Sequence, residues 1–345
     1  RPRRRWRRSS RAGSRQRTDR TLSDTPPPPG TFSLHGRDAP GLYLGAWLVS
    51  GAGLALMFIG VQMGPPLAGP VLMAGLLALA LGLTMGAGYQ LLARRSRPPT
   101  AYRGPAPLLV FGCYFVVLNA LALVLLGLGL DVGTPVGIAV GLGLQVVGYV
   151  AFVWLFVVRS GALSWRDLDL GRPARPGRLV GDVLVGAGLM VPATLVILIV
   201  TGLLFTLLGV EAPDVVPLPQ SLAEIVLVGV VVALAVPFGE ELFFRGFALT
   251  AWLRDLGERA AIVRSSLFFA LFHIINISAG TFDEGARQAL GVVLVILPVG
   301  VILGVLHTRR GLLAAVAAHA TYNGLGYVLG LLADQLAPLA PTPGS

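Results

Sequence analysis

The chain contains no lysine and a single cysteine, and only 13% of its 345 residues are charged. Each scarcity removes a class of chemistry. Without lysine there is neither a Ser-Lys dyad nor a Schiff base. A lone Cys113 permits no internal disulfide, and its place in an apolar run suits a small buried hydrophobe better than a thiol nucleophile. Soluble domains carry roughly 25% charged residues. With 54% hydrophobic residues and a mean hydropathy of +0.76, lipid is the solvent this composition is built for.

The net charge of +10 is local rather than general. Residues 1–20 hold ten arginines against Asp19 alone, and the remainder is close to neutral. An arginine run ahead of a membrane domain is expected to fix topology and touch anionic lipid headgroups, and nucleic acid is not an expected partner. About twenty mostly polar residues, including Pro26 to Pro29, separate that run from the first apolar stretch, so it does not read as a cleaved signal peptide. Residues 1–40 are read as a disordered, arginine-rich cytoplasmic tail.

A spanning helix needs about 20 apolar residues. Nine candidates meet or approach that length: 41–63, 67–93, 105–130, 134–158, 179–209, 221–249, 265–279, 288–306 and 312–333, the seventh being short. The fold class is therefore all-α, a polytopic membrane bundle of about eight to nine helices. With the arginine tail inside, the loops that should be internal carry Arg94, Arg95, Arg97 and Arg103; then Arg159, Arg166, Arg172, Arg175 and Arg178; then Arg254, Arg259 and Arg264; then Arg309 and Arg310. The opposite loops carry Asp131, Glu211, Asp214, Asp283, Glu284 and only Arg287. That asymmetry predicts nine spans with the N-terminus in the cytoplasm and the C-terminus outside.

Against this apolar background, three segments hold polar groups that lipid penalises by roughly 2.5–3.5 kcal/mol each. In the sixth, Glu240-Glu241 is followed by Arg245. Glu241 and Arg245, at i and i+4, can pair on one helix face, whereas Glu240 points about 100° away and keeps no cation of its own. Such a carboxylate suits a general base. In the seventh stands Phe269-Ala-Leu-Phe-His273, and in the ninth His319-Ala-Thr-Tyr-Asn323, whose imidazole and amide project from one face. Counted from the span ends, Glu240, His273 and His319 all lie roughly 10–14 Å below the cytoplasmic boundary at about 1.5 Å per residue. Groups at one depth on neighbouring helices can form one site, open toward the cytoplasm.

Those groups match attack of water on a carbonyl: Glu240 takes the proton, His273 helps hold the water, and His319 and Asn323 stabilise the oxyanion. No metal is needed for that route. Two histidines and a glutamate could equally bind Zn²⁺ with an open position, in which case Glu240, His273 and His319 are the ligands. Other designs lack their residues. Neither intramembrane histidine is followed by Glu in a His-Glu-x-x-His zinc motif, Asp182 has no intramembrane Asp partner, and no Gly-x-Ser-x-Gly elbow occurs.

At these residues the chain resembles the CAAX prenyl protease and bacteriocin-processing family, also called Abi, whose members carry Glu-Glu-x-x-x-Arg, Phe-x-x-x-His and His-x-x-x-Asn or Asp in that order. Here they are Glu240-Glu241 with Arg245, Phe269 with His273, and His319 with Asn323. The likeness covers about residues 221–330. It implies an endopeptidase acting on membrane-associated peptides or proteins. It also implies roles: Glu240 and His273 activate water, His319 and Asn323 donate to the oxyanion, and Glu241, Arg245 and Phe269 support them. The domain reading that results is a 1–40 tail, helices of unassigned role over 41–209, a protease core over 210–333 and a 334–345 tail. Two competing readings follow from the same intramembrane charges. One is a catalytically silent scaffold or immunity protein, in which Glu240→Gln is harmless; the other is a proton-coupled transporter, which predicts repeat symmetry that the sequence does not display.

Overall fold

The computed structural model describes residues 31, 33–171, 176–213, 219, 221–277 and 279–336. The arginine run, Arg172, Arg175 and Asp214 lie outside the described residues, as do 337–345. Nine helices are described: α1 (Pro40–Gln62), α2 (Ala68–Ala93), α3 (Pro107–Gly127), α4 (Pro135–Val158), α5 (Pro176–Leu208), α6 (Leu222–Leu256), α7 (Glu258–Phe272), α8 (Phe282–Arg310) and α9 (Leu312–Leu336). No strand occurs among the described residues.

Local chemistry sets where these helices begin and end. The Thr134 hydroxyl accepts from the Gly137 N–H ahead of Pro135, Ser221 accepts from the Glu224 N–H, and Thr281 from the Glu284 N–H, each satisfying a donor that the first turn leaves free. Gly257 and Gly311 take φ values of 79° and 103° between consecutive helices, a region open to glycine at little cost. Asp169 reaches across from the α4–α5 loop, and its Oδ2 accepts the Leu312 N–H at 2.9 Å, capping α9 from a distance.

Eight of the nine helices are long and apolar enough to cross a membrane, and the seventh is not. The apolar stretch at 265–279 divides: α7 occupies Glu258–Phe272, only 15 residues, and continues as a single 3₁₀ turn, His273–Asn276. At about 1.5 Å per residue α7 spans roughly 22 Å, short of the roughly 30 Å hydrocarbon layer. The helix starts after Gly257, earlier than hydropathy suggests, and α-geometry ends at His273 inside the apolar stretch. The chain nevertheless changes ends here. Arg309 pairs with Glu258 at 3.3 Å, placing the start of α7 beside the end of α8, whereas Arg287 donates to the Leu208 carbonyl at 2.9 Å, placing the start of α8 beside the end of α5.

One end of the bundle gathers the basic loops. Arg97 holds Asp255, which also accepts the Tyr102 N–H, and Arg254 holds Asp167 at 2.8 Å. The four inter-helix connections with the arginine bias therefore meet at a single end. At the periphery α1 lies on α2 through small residues: a Cβ at Gly53 would stand 2.5 Å from the Leu79 nitrogen, and one at Gly82 2.5 Å from the Ser50 nitrogen. Such contact lets backbones approach where lipid supplies no hydrophobic force between helices. At the centre is α6, bordered by α4, α7, α8 and α9. Phe243, Phe244 and Phe247 anchor it in a buried aromatic cluster with Phe111, Tyr114, Tyr149, Phe268 and Phe269.

Candidate active site

Helix α6 is not a regular α-helix. It contains wide π turns at Val231–Ala235 and Leu242–Leu249, on either side of Glu240 and Glu241. In the first, the Val236 N–H bonds to the Val231 carbonyl, five residues back. The next carbonyl, Val232, would need an N–H from residue 237, which is proline and has none. Asn323 of α9 fills the gap, its Nδ2 donating to the Val232 oxygen at 3.1 Å.

The two glutamates have different surroundings. Glu241 is fully buried, and its Oε1 accepts from Nη1 of Arg245 at 2.9 Å and from Nδ1 of His319 at 2.9 Å. Arg245, also fully buried, donates its Nη2 to the Gly300 carbonyl at 3.2 Å and lies over the Phe269 ring at 4.2 Å. Glu240 is 4% exposed and has no arginine. Its Oε1 accepts from the Gln145 amide at 3.3 Å, and its Oε2 stands 3.7 Å from Nε2 of His319. The i, i+4 pairing of Glu241 with Arg245 expected from sequence is thus present, and Glu240 is the less compensated acid.

Both histidines have one ring nitrogen fixed. A carboxylate paired with arginine only accepts, so His319 donates to Glu241 from Nδ1 and presents Nε2 to Glu240. His273, on the 3₁₀ turn after α7, donates from Nδ1 to the Phe269 carbonyl at 2.8 Å, which leaves Nε2 with its lone pair. Phe269 is in contact with all three neighbours, its centroid 4.5 Å from His273 and 5.6 Å from His319, besides the guanidinium above it.

The equal depths expected from span ends are not reproduced as distances along helices. Glu240 lies 16 residues from the end of α6 and His319 seven from the start of α9, about 24 and 10 Å at 1.5 Å per residue. The side chains still meet, because the helix ends are staggered. Among the described residues no group of three or more His, Cys, Asp or Glu stands in a geometry that could hold a metal ion.

Sequence reasoning missed Gln145, Pro237 and His307. Gln145 is the one side-chain amide in α4, which was the available signal. His307 reads as a loop residue by hydropathy, yet it is buried in the last turn of α8 and close enough to Glu241 to interact electrostatically.

Comparison with known proteins agrees with the motifs. Residues 222–325 match the family model described as type II CAAX prenyl endopeptidase Rce1-like, from the first turn of α6 to two residues beyond Asn323. Nothing among curated proteins or solved structures matches the chain. At the level of the family this segment is of a membrane protease type. The segment 222–325, which carries the paired glutamates on α6, His273 on the turn after α7, and His319 and Asn323 on α9, is thus similar to the Rce1-like type II CAAX prenyl endopeptidase family.

Proposed function

We propose that this protein is an intramembrane endopeptidase that hydrolyses a peptide bond in membrane-associated peptides or proteins, with Glu240 activating the attacking water. The observation that carries the reading is the inequality of the two acids. Arg245 and His319 engage Glu241, while the adjacent Glu240 faces only the Gln145 amide and an imidazole nitrogen. A carboxylate left without a full countercharge in a site of low dielectric is the group suited to accept a proton.

In this reading the water oxygen attacks the carbonyl carbon and its proton passes to a Glu240 oxygen. His273, whose Nδ1–H is committed to the Phe269 carbonyl, offers Nε2 as an acceptor that orients the same water. Negative charge then grows on the former carbonyl oxygen. His319 is its partner from the Nε2 edge, with Nδ1–H staying on Glu241. Asn323 has one amide proton on the Val232 carbonyl and a second for the oxyanion. Collapse breaks the C–N bond, and the proton held on Glu240 leaves with the amine. Glu241, Arg245 and Phe269 hold the ring and the helix in register.

The family name directs the choice of substrate to C-terminal segments with and without a prenylated cysteine. The arginine-rich end is proposed to face the cytoplasm, with residues 1–20 on anionic headgroups. The decisive experiment is cleavage of a quenched fluorescent peptide library, prenylated and unprenylated, by purified protein in lipid. Wild type is compared with Glu240→Gln, each with and without chelator. Loss of activity in Glu240→Gln with chelator-resistant wild type supports glutamate-activated water, and chelator-sensitive wild type assigns the reaction to a metal. Unchanged cleavage in Glu240→Gln removes the proposed base.

A further inference from the structure

The match to the protease family begins at residue 222, yet a side chain that hydrogen-bonds Glu240 comes from far upstream. Resting on the reading of Glu240 as the base, we infer that Gln145 of α4 is a positioning residue for it, so that the site is incomplete without the N-terminal half of the bundle. Its Nε2 donates to Oε1 of Glu240 at 3.3 Å, which turns Oε2 toward His319.

Three features of the packing around α4 hold that amide in place. Gly239, immediately before Glu240, has no side chain, and a Cβ there would stand 3.2 Å from Cα of Val146. The two backbones therefore approach closely where Gln145 must reach. One turn further, at i+4 on the same face, Tyr149 is wholly buried and stacks on Tyr114 of α3 with centroids 4.5 Å apart and planes at 26°. It also meets Phe243 at 5.1 Å. A Cβ at Gly148 would stand 2.8 Å from the Tyr114 ring, so α3 presses α4 against α6. An amide in lipid is disfavoured unless it has a partner, and this one is aimed at the reacting carboxylate rather than at a backbone carbonyl.

A residue that merely ties two helices together predicts something different from one that orients a base. Gln145→Met keeps the length and volume and removes the donor; Gln145→Asn keeps an amide but withdraws it by one carbon. Both are assayed beside Glu240→Gln in the full-length protein in lipid, following kcat, KM and thermal midpoint. We expect kcat to fall about tenfold in both, as for loss of one hydrogen bond to a charged group, with KM within about twofold and the midpoint unchanged. Wild-type kcat in either folded variant, alongside an inactive Glu240→Gln, overturns the inference and leaves the functional reading standing. So does a loss of kcat that only follows a lowered midpoint in both, which is how a strut behaves. Wild-type activity in Glu240→Gln brings down the base and its positioning residue together.

Discussion

His319 donates from Nδ1 to the same Glu241 oxygen that accepts from Arg245, both at 2.9 Å. One buried carboxylate thereby fixes both a ring nitrogen of the histidine and the rotamer of the arginine, and Glu240 meets that network at Nε2 of His319, 3.7 Å away, without an arginine of its own. The adjacent glutamates are a division of labour imposed by helix geometry: a rotation of about 100° per residue sends one into an ion pair and the other toward α4.

Arg245→Lys tests whether the fork matters. The guanidinium bonds Glu241 and the Gly300 carbonyl at once and lies over Phe269, which an ammonium cannot reproduce. Losing one hydrogen bond from a charged donor is worth about 1.5–3 kcal/mol, so the thermal midpoint should drop and turnover should fall by tenfold or more, as about 1.4 kcal/mol is a factor of ten. Full activity with an unchanged midpoint would remove this pair from the mechanism.

The Val232 carbonyl needs Asn323 only because residue 237 is proline. Asn323→Ala should therefore cost about 1 kcal/mol of stability for a partly buried carbonyl left unpaired. In a Pro237→Ala background, where a backbone N–H is restored, the same change should cost less. A double-mutant cycle in urea or heat reads this as a coupling of about 0.5–1.5 kcal/mol, and strict additivity would refute the compensation.

Orientation is checked by labelling single cysteines in a Cys113→Ser background. Ser96→Cys, among the arginines of the α2–α3 loop, should react with an impermeant maleimide only from the cytoplasmic side. Gly133→Cys, before α4, should react only from the other. Reversed labelling would place the active-site helices the opposite way up.

The clasp at the basic end should be pH-sensitive in one direction. Burial pushes the Asp167 carboxyl upward, but hydrogen bonds from the Ser164 N–H and hydroxyl, with the Arg254 charge, outweigh it and hold the group below its ordinary range. A depressed carboxylate contributes stability above its unfolded value, about 3.9 for Asp, and loses it as pH falls through the lower folded value. The difference in thermal midpoint between wild type and Asp167→Asn should be greatest near neutrality and shrink toward acid pH; a difference that grows in acid contradicts the clasp. Asp167 is partly exposed, so salt should reduce the effect.

Much of the architecture is carried by local composition. Long apolar runs become long helices because every backbone group in lipid must be satisfied within its own segment, and most of the candidate spans shift at their ends without changing place. The seventh was misjudged because hydropathy averages over a window. It does not register that Gly257 opens a helix early, or that the chain leaves α-geometry at His273. Among the candidate site residues, Glu241 and Arg245 could be paired from i, i+4 spacing alone. Nothing in the sequence joins Gln145 to Glu240 across 95 positions, and the motif pattern begins downstream of it.

The sequence by itself determined the solvent, the helices and the chemical inventory: where apolar length suffices to span, which end is basic, and which carboxylate, imidazole and amide groups stand in lipid. Periodicity and transfer free energy act locally, so they can be read in order along the chain. Only the tertiary structure decided which groups touch. Approach of α4 to Gly239, the π turn before Pro237 and the stagger of α6 against α9 depend on side-chain packing between segments distant in sequence. Those contacts give Glu241 to Arg245 and His319, Asn323 to a proline-orphaned carbonyl, and Glu240 to Gln145.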